Sequence, residues 1–195
     1  MSMPDIAFAL RPRTPIHLAV LVASFAFAAG ATIAQAQAPA GIGGVRADFL
    51  GSFGRLEAKL VQLAEAVPAD KYDYTPGMGV RTFCEVLVHI GADNYGVATL
   101  FGGPAAPKPQ LADPRTPTCY ADKAMVIADM KVSFAAARAV ITNANTMDMD
   151  ANVTAFGATM ARRTWLLEMA EHAGEHLGQL IAYARMNGIR PPWSK

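Results

Sequence analysis

Four stretches of the chain repeat apolar residues three or four apart, the spacing that buries one face of an α-helix. In residues 44–67 the stripe is Val45, Phe49, Phe53, Leu56, Leu60, Leu63 and Val67. Arg46, Arg55, Glu57, Lys59 and Glu65 are left mostly for water, and Pro68 ends the run. A second helix is predicted over 81–101, with Phe83, Val86, Leu87, Ile90, Val97 and Phe101 as its stripe; Thr82 followed by Glu85 is a capping-box pattern. A third covers 121–144 through Val126, Met130, Phe134, Ala137 and Ile141. The fourth covers 159–187 through Leu166, Met169, Ala173, Leu177, Leu180 and Ala184, and stops at Asn187-Gly188 before Pro191-Pro192.

The connections are punctuated by breakers. Residues 69–79 form a loop with Pro76, Gly77 and Gly79. Residues 102–117 are rich in Gly, Pro and Ala, contain little that packs, and are long enough to carry the chain across a bundle. Residues 146–158 are expected to be a second loop. No strand alternation and no internal repeat is visible. The pattern predicts an all-α, four-helix bundle with a long crossover connection between helices two and three.

The N-terminus has a different character. Arg11 and Arg13 precede the apolar run from Leu18 to Ile33, and Ala34-Gln35-Ala36 supplies small residues before a cut. The run has about 16 apolar residues, short of the roughly 20 that a spanning helix needs. Residues 1–36 are therefore expected to be a secretory signal peptide and 37–195 a single bundle domain beginning at Gln37. Pro12 separates the two arginines and no cysteine follows the cut, so neither a twin-arginine signal nor a lipid anchor is indicated. The Ala-rich signal points to a bacterial periplasmic protein with no membrane attachment after cleavage.

Removal of residues 1–36 takes Lys+Arg from 17 to 15, with loss of Arg11 and Arg13. Asp+Glu goes from 16 to 15, with loss of Asp5. A formally neutral chain without a basic run argues against nucleic acid and against an anionic membrane surface as partners. The expected partner is a small-molecule substrate, with a homodimer as a further option.

Of the four histidines, His17 falls in the signal, leaving His89, His172 and His176. His172 and His176 are four apart, so both rings leave the helix on one side. His89 sits between Val88 and Ile90 in the second helix. Three neutral imidazoles with an open fourth position make a catalytic metal arrangement; buried polar side chains satisfied by hydrogen bonds would give the same spacing. Glu85 and Asp93 lie four residues either side of His89, as solvated flanks or as carboxylates orienting its ring. Cys84 and Cys119 have no metal-ligand spacing and are read either as one disulfide, as export would favour, or as two buried thiols.

Two runs carry a family resemblance. One is His172-Ala-Gly-Glu-His176-Leu-Gly-Gln179-Leu-Ile-Ala-Tyr183-Ala-Arg185-Met-Asn-Gly188-Ile-Arg-Pro191-Pro192. The other is Thr75-Pro76-Gly77-Met-Gly-Val-Arg81-Thr-Phe83-Cys-Glu-Val-Leu-Val-His89-Ile. Together they resemble the DinB family over most of residues 37–195. The resemblance implies a four-helix bundle of DinB type holding a divalent transition metal (zinc, nickel, manganese or iron) on His89, His172 and His176. Related members include thiol-dependent isomerases and transferases, although the export signal sets this chain apart from cytosolic ones. The function expected is that of a metal-dependent hydrolase or group transferase, the alternative being a non-enzymatic metal-binding or scaffold bundle. Glu168, four residues before His172, and Gln179, three after His176, are the candidates for handling protons or supporting the ligands.

Overall fold

The protein is described by a computed structural model covering residues 42–115, 117–120, 122–144 and 147–194. The expected signal peptide lies outside the described residues. Helices α1 (Ile42–Ala66), α2 (Phe83–Thr99), α3 (Lys123–Asn143) and α4 (Arg162–Met186) form the bundle. Helix α1 packs on α3 and α4, and α2 packs on the same two. Among the described residues no helix is long and apolar enough to cross a membrane.

The expected stripes are the core. Phe53, Leu60 and Leu63 from α1 meet Phe83, Leu87 and Ile90 from α2, with Phe134 and Ile141 from α3 and Leu166 and Leu180 from α4. The Phe53 and Phe134 rings touch with centroids 4.6 Å apart. Such side chains contribute roughly 1.5–3 kcal/mol each when fully buried. Val45 departs from its stripe: α1 begins earlier than predicted, at Ile42, and Val45 in its first turn is exposed.

The capping box starts α2. The Thr82 hydroxyl accepts from the Glu85 amide at 3.1 Å, and the Glu85 carboxylate accepts from the Thr82 amide at 2.7 Å. This satisfies two of the helix's unpaired donors and points the helix, with His89 two turns on, into the bundle.

The linker between α2 and α3 packs more than its composition suggested. Pro109–Leu111 forms a 3-10 turn, and Leu111 is buried. Its Cδ2 lies 3.0 Å from where a Cβ on Gly91 would sit, so the glycine makes room for it. Lys108 pairs with Asp129 of α3 at 2.7 Å. Cys84 and Cys119 form a disulfide with Cα atoms 5.6 Å apart, resolving the two readings of the cysteines in favour of the bond.

The expectation of no β-structure is corrected between α3 and α4. Strands β1 (Asn152–Ala155) and β2 (Ala158–Ala161) pair antiparallel, Asn152 opposite Ala161 and Ala155 opposite Ala158. Because β2 takes up Ala158–Ala161, α4 starts at Arg162 and not at 159. β1 alternates exposed Asn152 and Thr154 with half-buried Val153 and Ala155, but two periods are too few to stand out in the sequence. The turn is Phe156-Gly157, both with positive φ (49° and 84°), without the Asn-Gly signature that advertises such turns. What holds Phe156 there is tertiary. Its ring stands against Gly96 of α2, where a Cβ would come within 2.6 Å of Cζ, and lies 5.6 Å from the Trp165 ring. Trp165 Nε1 in turn donates to the Val153 carbonyl at 3.1 Å.

Candidate metal centre

The buried face of α2 carries His89, and the facing side of α4 carries His172 and His176. The three rings meet edge-on, with centroids 4.4–4.9 Å apart. One nitrogen from each can be chosen so that all three lie within 4.8 Å of one another, close enough to hold a metal ion. The convergence expected of the three histidines is therefore present. Its origin is geometric: one turn separates the two histidines of α4, and the packing of α2 on α4 brings in the third.

The hydrogen bonds assign the tautomers. His89 Nδ1 lies 2.6 Å from the Pro114 carbonyl, which can only accept, so Nδ1 carries the proton and Nε2 a lone pair. On the other side, the Tyr183 hydroxyl donates to the Arg81 carbonyl at 3.3 Å and accepts from the Gln179 amide nitrogen at 2.7 Å. That turns the Gln179 amide oxygen toward His176 Nδ1, 2.8 Å away, and makes Nδ1 the donor. His176 Nε2 is thus a bare lone pair, buried and without a hydrogen-bond partner.

His172 Nε2 lies 2.7 Å from Asp93 Oδ2 and 3.0 Å from His89 Nε2. Asp93 Oδ2 is also 3.2 Å from His89 Nε2. One proton, on His172 Nε2, therefore stands between two acceptors, and His176 adds a third lone pair to the same cluster. Facing lone pairs repel and a buried one without a partner is costly, so this donor set fits a cation. Zinc–nitrogen bonds of about 2.0–2.1 Å in tetrahedral array set ligand nitrogens roughly 3.3 Å apart, near the 3.0 Å between His89 and His172.

Burial pushes the His89 imidazole down to about 4, against the pull of Asp93. Burial also lowers His176. The hydrogen bond to Asp93 raises His172. An unfolded histidine titrates near 6.5, so on acidification the unfolded chain takes up a proton that folded His89 refuses. Stability of the metal-free protein should then rise with pH between about 4 and 6.5 and fall as pH drops through that window. His172 works in the opposite sense, its contribution present below 6.5 and lost as pH rises through its raised value. His89 carries the larger shift and sets the net direction. Thermal unfolding of chelator-treated protein at pH 7 and pH 5 checks this; a higher Tm at pH 5 would refute the assignment.

The other expected residues are placed as follows. Glu85 does not reach His89, because its carboxylate is used in the cap of α2. Asp93 does, but at Nε2 and not at Nδ1. It is therefore a proton acceptor on the cation side, and orienting the ring falls to Pro114. Gln179 supports His176 directly. Glu168 lies on the wall of the cleft, exposed. Arg81, Pro114 and Tyr183 were not anticipated. Tyr183 could have been found as the i+4 neighbour of Gln179, whereas a backbone carbonyl brought in from a loop leaves no trace in residue types.

The site opens into a cleft of roughly 840 Å³. His89, His172 and Asp93 line it beside the histidine cluster; Ile90, Val97, Met169, Trp165 and the hairpin tip at Phe156 give it an apolar wall, and Asp113, Arg115 and Glu168 add charged groups.

A family model described as the DinB superfamily matches residues 52–180. Two crystal structures share the fold. A DinB-like protein from Bacillus cereus is 15% identical, with a TM-score of 0.63 over 75% of this chain and 95% of its own. A DinB-like protein from Bacillus subtilis is 22% identical, with a TM-score of 0.56 over 72% of this chain and 92% of its own. A comparison with curated proteins found no match.

Proposed function

The chain belongs to the DinB superfamily, and we propose that it is an exported metal-dependent enzyme, a hydrolase or group transferase acting on a small molecule. The single observation that carries the metal reading is the buried, partnerless Nε2 of His176 pointing into a cluster of lone pairs. His89, His172 and His176 would hold a divalent transition metal (zinc, nickel, manganese or iron). Bound there, the ion would act as a Lewis acid where the histidine cluster meets the cleft.

This chain's own residues do the rest. Pro114 and Gln179 hold the His89 and His176 rings in the tautomer that turns Nε2 inward. Asp93 faces the cleft with an oxygen already on the ligand nitrogens. It is placed to take one proton from the nucleophile, water or a thiol, and to pass it to the leaving group. Glu168 on the cleft wall is the second carboxylate available for that transfer. The apolar wall of Trp165, Phe156 and Met169 would bind the substrate's body and exclude water.

Export is supported by the Cys84–Cys119 disulfide, a bond that persists in oxidising compartments. The mature N-terminus is expected at Gln37. Intact mass of the protein recovered from a periplasmic fraction tests this, and a retained Met1 in the cytoplasm would refute it.

The decisive test of function is elemental analysis of untagged protein, followed by water-proton relaxation of the Mn²⁺-loaded form. About one metal per chain with strong, anion-suppressible relaxation marks an exchangeable position and supports an enzyme. Stoichiometric metal with no relaxation enhancement marks a closed site and gives the non-enzymatic metal-binding reading instead. In the first case Asp93→Asn should keep its metal and lose turnover by about 10²–10⁴-fold on whatever substrate screening identifies.

A further inference from the structure

We propose that the Cys84–Cys119 disulfide is a positioning element of the metal centre, acting on His89 through the Pro114 carbonyl. The inference rests on the metal reading above. Cys84 and His89 are five residues apart on α2, and Pro114 and Cys119 are five apart on the linker. The two segments are joined at one end by the disulfide and at the other by the 2.6 Å bond from His89 Nδ1 to Pro114 O. They form a closed ring with a covalent bond at one pole and the ligand's orienting hydrogen bond at the other.

The linker needs this fastening. Upstream, Leu111 is anchored in the core against Gly91. Downstream, Lys123 at the start of α3 donates to the Val67 and Glu65 carbonyls. Between them Pro114 and Arg115 lie in a tight turn, and among the described residues 117–120 make no backbone–backbone hydrogen bond, so that stretch does not fasten the turn to its neighbours. Five helical residues rise about 7.5 Å, while five extended residues can reach about 17 Å. Without the cross-link the linker has slack enough to withdraw the carbonyl. Arg81 Nη2 also donates to Pro114 O, but at 3.3 Å.

The carbonyl decides what His89 presents to the cation. While Nδ1–H is held by Pro114 O, Nε2 is left as the lone pair, 3.0 Å from His172 Nε2. A ring freed from that acceptor samples both tautomers and other rotations, and only part of that population can bind. Losing a partner of this kind typically lowers metal affinity about 10–100-fold.

The experiment compares oxidised wild type with Cys84→Ser/Cys119→Ser, full exported chain in both cases. Two readouts are taken: Zn²⁺ affinity by competition with a chromophoric chelator, and the His89 tautomer by ¹⁵N NMR of the metal-free protein. The expected result is Zn²⁺ binding about 10–100-fold weaker in the variant and a shift from pure Nδ1–H in wild type to a mixture. Equal affinity with an unchanged tautomer would overturn the proposal, since a purely structural disulfide would move stability alone. If wild type binds no Zn²⁺, the metal reading fails, and the tautomer still decides whether the disulfide orients His89. If the double variant is too unstable to titrate, wild type before and after reduction by a phosphine at low temperature gives the same comparison, with far-UV circular dichroism showing that the bundle persists.

Discussion

His89→Ala is expected to strip the protein of its metal while leaving a folded helical bundle. The variant removes the only histidine that α2 contributes, and two histidines on one turn of α4 remain. Losing a hydrogen-bond partner of a ligand already costs about 10–100-fold in affinity; losing the ligand itself should exceed about 100-fold. The fold should survive because the helices bury their own stripes: Phe83, Leu87 and Ile90 surround His89 on α2 and remain in place. The metal-free variant also loses the imidazole whose lone pair stands 3.0 Å from His172 Nε2, so its stability should change far less than its metal affinity. Metal content by elemental analysis and helicity by circular dichroism read the two effects separately. Wild-type metal content in His89→Ala, or in the variant with all three histidines changed to alanine, would refute the site.

Reducing the Cys84–Cys119 bond should lower stability by roughly 3–4 kcal/mol on the chain-entropy model, for a sequence separation of 35 residues. The enclosed loop holds all but the first residue of α2 and most of the linker, so the unfolded chain gains much freedom when the bond opens. For a domain of this size the loss corresponds to a fall in Tm on the order of 10 °C. Denaturant unfolding with and without reductant measures it. A difference under about 1 kcal/mol would contradict the chain-entropy account and mean that residual structure already confines this loop in the reduced, unfolded chain.

The four helices were legible because helix formation and burial depend on residues three and four apart. The spacing of Phe53, Leu60 and Leu63, or of Leu166, Met169 and Leu180, is written locally. The same locality made the cap at Thr82 and the shared face of His172 and His176 readable. His89 joined them through scarcity, as the only other histidine beyond the expected signal, and through the resemblance carried by its surrounding run.

What the residue types alone determined, then, was the helical content, the apolar faces and the set of nitrogens available to a cation. Tertiary structure decided what those nitrogens do. Asp93 sits on the cation side of His89 and His172, while Glu85, also four residues from His89, is spent on the cap that Thr82 signalled. What tertiary structure adds is α4, whose His172 meets Asp93. The Pro114 carbonyl, the disulfide that holds its loop and the hairpin whose Phe156 ring rests on Gly96 all join residues far apart in the chain. Such contacts follow from how whole helices pack, a cooperative outcome of the entire core, and no periodicity within one segment encodes them.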